Sequence, residues 1–148
     1  MTRTELSQFM RSNTNVVEAT VSPDGSPQGA VVGIAVTDSF ELVFDSLETT
    51  RKAVDLSQNP KVAFVLGGWM SGDERTVQYE GVVDRPSGVE LEALKAIYYA
   101  TLPSGPMRLS WPGLIYLRAR PIWIRYTNFN KDPVERVEFD PEQLNALG

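Results

Sequence analysis

Apolar positions along the chain change period several times, and each change marks a predicted element. Leu6, Phe9 and Met10 recur at helical spacing behind Thr2-Arg3-Thr4-Glu5, a capping-box pattern, so a short amphipathic helix is predicted there, suited to covering an open end of a sheet. From Val16 the period falls to two, with Val17, Ala19 and Val21 on one parity and Glu18, Thr20 and Ser22 on the other. Pro23-Asp24-Gly25-Ser26 supplies turn chemistry, and strands resume over Gln28 to Val36 and Phe40 to Asp45, split by Thr37-Asp38-Ser39. Three consecutive strands joined by tight turns predict an antiparallel meander. Between Thr49 and Asn59 the pattern turns helical, with Thr49 or Thr50 as N-cap, Arg51 and Asp55 paired one turn apart, and Asn59-Pro60 as the stop.

Lys61 to Leu66 reads as a buried strand, Gly67-Gly68 through Asp73 as a loop, and Arg75 to Asp84 as an alternating strand. Ser87-Gly88-Val89-Glu90 is a second capping-box pattern, opening a helix whose apolar face carries Leu91, Leu94, Ile97 and Tyr98. After a Pro/Gly-rich loop from Pro103 to Gly113 comes a long strand. Ile115, Leu117 and Ala119 share one parity and Ile122, Ile124 and Tyr126 the other, so a bulge at Pro121 is expected to keep both halves on one core. Val134, Val137 and Phe139 predict a last short strand, and Pro141-Glu142 a terminal helical turn. With no internal repeat and no linker, residues 1–148 read as one domain. The fold class is mainly β (α+β): an antiparallel, closed or partly closed barrel of Greek-key type with peripheral helices.

Charge and composition narrow the chemistry. The net charge of −5, with no basic run, argues against nucleic acid as a partner. The chain has no cysteine and no histidine, which removes disulfides, thiolate nucleophiles, histidine-based triads and nearly all zinc sites, so redox chemistry must come from a cofactor and no metal is expected. No apolar run approaches membrane-spanning length and the first residues do not form a signal peptide, so a cytoplasmic location with no membrane partner is the expectation.

The segment from Phe40 to Leu66 carries the most suggestive chemistry. Asp45, Ser46 and Leu47 end a strand, and Thr49, Thr50, Arg51 and Lys52 open a helix. Free amides and the positive dipole end at a helix start, with hydroxyls and two adjacent cations, suit a phosphate. The same residues also describe an ordinary capped and solvated first turn in which Arg51 pairs with Asp55.

Asp45-Ser46, then Thr50-Arg51-Lys52-Ala53, then Asn59-Pro60-Lys61-Val62-Ala63 resemble the strand-helix-strand signature of the pyridoxamine 5′-phosphate oxidase-like family of split-barrel flavoproteins. Arg75 to Gly81 is similar to that family's following strand, and Pro121 to Tyr126 to the closing strand of its smaller members; the likeness spans about Glu18 to Phe139. The resemblance implies a split barrel, a homodimer, and flavin mononucleotide (FMN) bound at the subunit interface, with a small-molecule substrate or an electron donor such as NAD(P)H as the reaction partner. Carried over by position, Arg51 and Lys52 hold the phosphate, and Ser46 and Thr50 assist. Asp45 and Leu47 line the ring and ribityl region, Val31 and Val32 lie against the isoalloxazine, and Thr76 and Gln78 stand where a flavin-reaching glutamine is common. Trp111 and Trp69, both in loops, are candidate cleft walls.

Departures from the family pattern bear on activity. Ala30 and Ala35 stand where the oxidases carry basic residues, Asp45 stands where an aromatic is usual, and the arginine-histidine substrate motif has no copy. An FMN-dependent oxidoreductase other than a vitamin B6 oxidase is therefore the leading expectation, with no catalytic side chain identified. The alternatives are a non-catalytic flavin carrier or sensor, or a deazaflavin enzyme on the same fold; haem would lack its usual histidine ligand. Glu80 is expected to point into an interface, where Arg118, Arg120 or Arg125 would pair with it.

Overall fold

A computed structural model describes residues 1–148. The elements run α1 (Arg3–Arg11), β1 (Asn15–Val21), β2 (Pro27–Gly33), β3 (Ala35–Val36), β4 (Leu42–Leu47), α2 (Arg51–Gln58), β5 (Lys61–Gly67), β6 (Arg75–Asp84), α3 (Gly88–Thr101), β7 (Leu114–Asn128), β8 (Glu135–Phe139) and α4 (Pro141–Ala146), with a 3-10 turn at Gly105–Arg108. The strands form one antiparallel sheet in the order β2-β1-β5-β6-β7-β4-β3, with β8 added beside β7. It curls into a split barrel with peripheral helices.

The predicted meander forms only in part. The stretch read as one strand from Gln28 to Val36 breaks at Ile34: β2 pairs with β1, while β3 pairs with β4. Because β2 and β3 are consecutive in the chain yet sit at opposite ends of the sheet path, Gly33-Ile34 closes the barrel covalently. Below that point no ladder joins β2 to β4, and this gap is the split. β4 begins at Leu42, later than expected, because Phe40 takes a left-handed φ of 60° in the preceding turn. The bulge falls as predicted. Glu80 faces Trp123 and Gly81 faces Pro121, leaving Ile122 as the extra residue.

The main core fills the barrel. α1 plugs one end with Leu6, Phe9 and Met10, behind a capping box in which Thr2 and Glu5 satisfy each other's backbone amides. A second cluster of Ala35, Val43, Leu94, Tyr98 and Tyr116 packs α3 against the outer face of β3, β4 and β7. The second predicted capping box does not form: the Ser87 side chain makes no cap hydrogen bond, and Glu90 instead pairs with Arg118, which is also held by Asp84 at 2.6 Å. Arg125 pairs with Glu138 at 2.6 Å, and Glu80 lies exposed without an ion pair within the chain.

β1 inverts the simple reading of its pattern. Val16, Glu18 and Thr20 are buried while Val17, Ala19 and Val21 are half-exposed, so the polar parity faces inward. What receives it is α2, which crosses from β4 to β5 and packs on β1. Thr20 Oγ1 donates to Asp55 Oδ2 at 3.1 Å, and both groups are buried.

Candidate functional site

The turn from β4 into α2 is locked by hydroxyls. Thr50 is the N-cap, and its Oγ1 accepts from the Ala53 amide at 3.3 Å and donates to the Leu47 carbonyl at 3.0 Å. Buried Ser46 braces it, with its Oγ 2.8 Å from Thr50 Oγ1. The first turn of α2 contains no acidic residue. The expected Arg51–Asp55 pair is absent because Asp55 sits on the helix face turned to β1, occupied by Thr20. Arg51 is exposed and Lys52 half-buried, and neither side chain has an ion pair or hydrogen bond among those of the fold. Two cations at the positive end of a helix dipole, neither in an ion pair, suit an external anion.

Two clefts meet at Lys52. The first, about 450 Å³, lies between α2 and the strands β1 and β2, and presents Glu18, Gln28, Ala30, Thr50, Arg51 and Lys52. The second, about 340 Å³, opens at the split between β2 and β4 and presents Val31, Val32, Asp45, Lys52, Tyr98 and Arg108. Val31 is 72% exposed, an apolar surface held flat by its strand. A cationic end and an apolar wall thus share one ammonium.

The second cleft is bounded by an ion pair between the 3-10 turn and β4. Arg108 Nε donates to Asp45 Oδ2 at 2.8 Å, and its Nη2 donates to the Tyr98 hydroxyl at 3.1 Å. Burial, reinforced by the Asp45 charge, pushes the Tyr98 phenol up to about 12. Tyr99 and Tyr116 join hydroxyls at 2.6 Å beside it. In the first cleft, burial raises Glu18 to about 7, against the opposing pull of Lys52.

The structure therefore brings together Thr50, Arg51 and Lys52 in one cleft, and Val31, Val32 and Asp45 with Lys52 in the other. Ser46 stands behind them as a brace, and Leu47 is half-buried on the Asp45 face of β4 but lines neither cleft. Thr76 and Gln78 are elsewhere: both lie on β6, separated from β1 by β5, with Gln78 exposed opposite Arg125. Trp111, half-exposed beyond the 3-10 turn, lines neither cleft, and Trp69 is equally exposed in the turn before β6. Two charged cleft residues escaped the sequence reading. Glu18 left a faint signal, a carboxylate in phase with the apolar Val16. Arg108 left none, since its partner is 63 residues away.

The sequence model of the pyridoxamine 5′-phosphate oxidase family matches residues 2–128. The chain belongs to that family. Among curated members, the pyridoxine/pyridoxamine 5′-phosphate oxidase of Cupriavidus metallidurans is 34% identical over 93 residues, which cover 63% of this chain and 41% of that relative. The corresponding oxidase of Gloeothece citriformis is 34% identical over 96 residues, 65% of this chain and 42% of its own. The matched region thus spans about two fifths of these oxidases. Solved structures share the family fold. A heme binding protein from Mycobacterium smegmatis superimposes with a TM-score of 0.82 at 18% identity, over 99% of this chain and 61% of that one. A pyridoxamine 5′-phosphate oxidase-related, FMN binding protein from Nostoc punctiforme gives 0.67 at 15% identity, over 93% and 87%. The heme storage protein HutZ of Vibrio cholerae gives 0.69 at 13%, over 93% and 92%.

Proposed function

We propose that this family member binds FMN across the two clefts and works as an FMN-dependent oxidoreductase, with the flavin at a homodimer interface. The observation that carries the reading is Lys52. It lines both clefts, next to Arg51, at a helix start that holds no acidic side chain. The donor set fits a phosphate monoester: a guanidinium for bidentate contact, an ammonium and the free amides of the first turn. Val31 supplies an apolar wall for a flat ring, backed by the buried Val32, and the Arg108–Asp45 pair lines the same cleft.

When bound, the flavin ring supplies the hydride or electron transfer. The chain's own residues anchor its phosphate, orient the ring and wall off one side of the cleft. Dimerisation is supported by the outer sheet face, where Val65, Val82 and Ile122 are exposed beside a shallow groove of about 330 Å³. A second copy on that face would supply the exposed Gln78, with Thr76 on the same strand, to the partner's flavin. NAD(P)H is proposed as the electron donor. Pyridoxamine oxidation is not proposed, since Ala30 and Ala35 replace the expected basic residues and the chain matches less than half of the named oxidases.

A non-catalytic flavin carrier is the second reading. It is favoured by the ring-side cleft, where Tyr98 holds its proton up to about 12 and Arg108 is committed to Asp45, so neither serves as an acid or base near neutrality. Haem, bound by two of the structural relatives according to their names, would find no histidine or cysteine ligand in this chain. The test is a spectrum of the purified protein with and without added FMN, followed by NADPH. Retained flavin absorbance bleached by NADPH supports the enzyme, retained but unbleached flavin the carrier, and no retention with no rise in Tm contradicts both.

A further inference from the structure

Glu18 is anomalous in this fold. Its side chain is 1% exposed, and its two carboxyl oxygens are the only buried side-chain polar atoms without a hydrogen-bond partner. A buried polar group without a partner is destabilising, and its persistence asks for a reason. An apolar residue in its place would continue the inward row of Val16 and pack beside Phe64, its cross-strand neighbour on β5. The strand therefore carries a costly group where a harmless one fits. Glu18 lines the same cleft as Arg51 and Lys52.

The surroundings define what a partner would be. The charged groups that share the cleft with Glu18 are Arg51 and Lys52, both on α2; Asp55, also on α2, is taken up by the Thr20 hydroxyl. β2 contributes Gln28, Gly29 and Ala30, and β5 contributes Phe64, none of which titrates. A carboxylate here would repel a phosphate held by the same two cations, whereas a neutral carboxylic acid has an O–H to donate to a phosphate oxygen.

We propose that Glu18 is a binding residue for the phosphate, acting as a neutral carboxylic acid that donates a hydrogen bond to the anion held by Arg51 and Lys52. This rests on the reading of the first turn of α2 as a phosphate anchor. Binding is then coupled to a proton. Burial holds Glu18 near 7 in the free protein, and an anion that engages Lys52 removes the one charge favouring ionisation, so the acid form is favoured further in the complex. Anion affinity falls as pH rises past neutrality, because the fraction of protein carrying the proton falls.

The experiment titrates FMN into wild-type protein and into Glu18→Gln and Glu18→Leu between pH 6 and pH 8.5, following flavin fluorescence. The Gln amide donates at every pH, so comparison with it cancels the titration of the ligand's own phosphate. Wild type and E18Q are expected to bind alike at pH 6, with wild type about tenfold weaker than E18Q near pH 8, and E18L weaker than both at pH 6. Identical pH profiles in wild type and E18Q, or loss of binding by E18Q at every pH, overturn the proposal. Inorganic phosphate, read by its competition with FMN or by the rise in Tm, separates the two readings. Phosphate binding with the same wild-type-specific pH loss but no FMN binding keeps the role of Glu18 and removes the flavin. FMN binding without the pH difference does the reverse, and binding of neither anion overturns both.

Discussion

Arg108 Nε sits 2.8 Å from Asp45 Oδ2, tying the 3-10 turn after α3 to the end of β4. Both residues line the cleft beside the split, and their side chains are 22% and 13% exposed, between the surface and buried regimes. Arg108→Met is expected to cost about 1–3 kcal/mol in urea unfolding. It also frees the Pro103 to Gly113 segment, which should show as faster limited proteolysis there.

Glu18 imposes a pH dependence on stability. Its ordinary value of 4.5 rises to about 7 in the fold, so the native state binds more protons than the unfolded chain between those values. Stability is therefore greatest below pH 4.5 as far as this group is concerned, falls as pH rises to about 7, and levels off above, a total loss of roughly 3 kcal/mol. Denaturation of wild type and Glu18→Gln at pH 5 and pH 8 checks this. The variant should gain on wild type at pH 8 and match it at pH 5.

Gly81 marks where the barrel turns. A Cβ there would lie 2.8 Å from the Arg120 carbonyl oxygen and 2.8 Å from the Tyr79 ring, opposite the bulge at Ile122. Gly81→Ala is expected to destabilise by about 2–3 kcal/mol. Gly29→Ala, whose nearest neighbour would be Val17 Cγ1 at 3.9 Å, is the control and should change Tm little.

The sequence foretold the barrel because its strands are short, alternating and punctuated by turn residues, and because the parity switch at Pro121 has one cheap solution, the bulge. Thr50-Arg51-Lys52 was equally legible, since a cap followed by two cations is a local pattern. What failed was non-local. Arg51–Asp55 looked like a pair until β1 claimed Asp55 through Thr20, and Ser87–Glu90 looked like a capping box until Arg118 claimed Glu90. Glu18 was assigned to a polar face that the crossing of α2 turns inward. In each case a long-range contact took over a side chain that a local rule had assigned.

Arg51 and Lys52 do little for the fold, since neither pairs with a protein group and both oppose the dipole of α2. Arg51→Ala should leave stability unchanged or raise it by about 0.3–1 kcal/mol. Each alanine variant should weaken FMN by roughly 10- to 100-fold, the value of a charge-assisted hydrogen bond to phosphate. Parallel Tm and FMN titrations separate the two effects.

The phosphate anchor is tested most directly by calorimetric titration of wild-type protein with FMN and with riboflavin, which share the ring and differ in the phosphate. Tight FMN binding with riboflavin weaker by roughly 100-fold or more is the expected result. Equal affinity for the two, or no heat with either, contradicts the assignment of Thr50, Arg51 and Lys52 as the anchor.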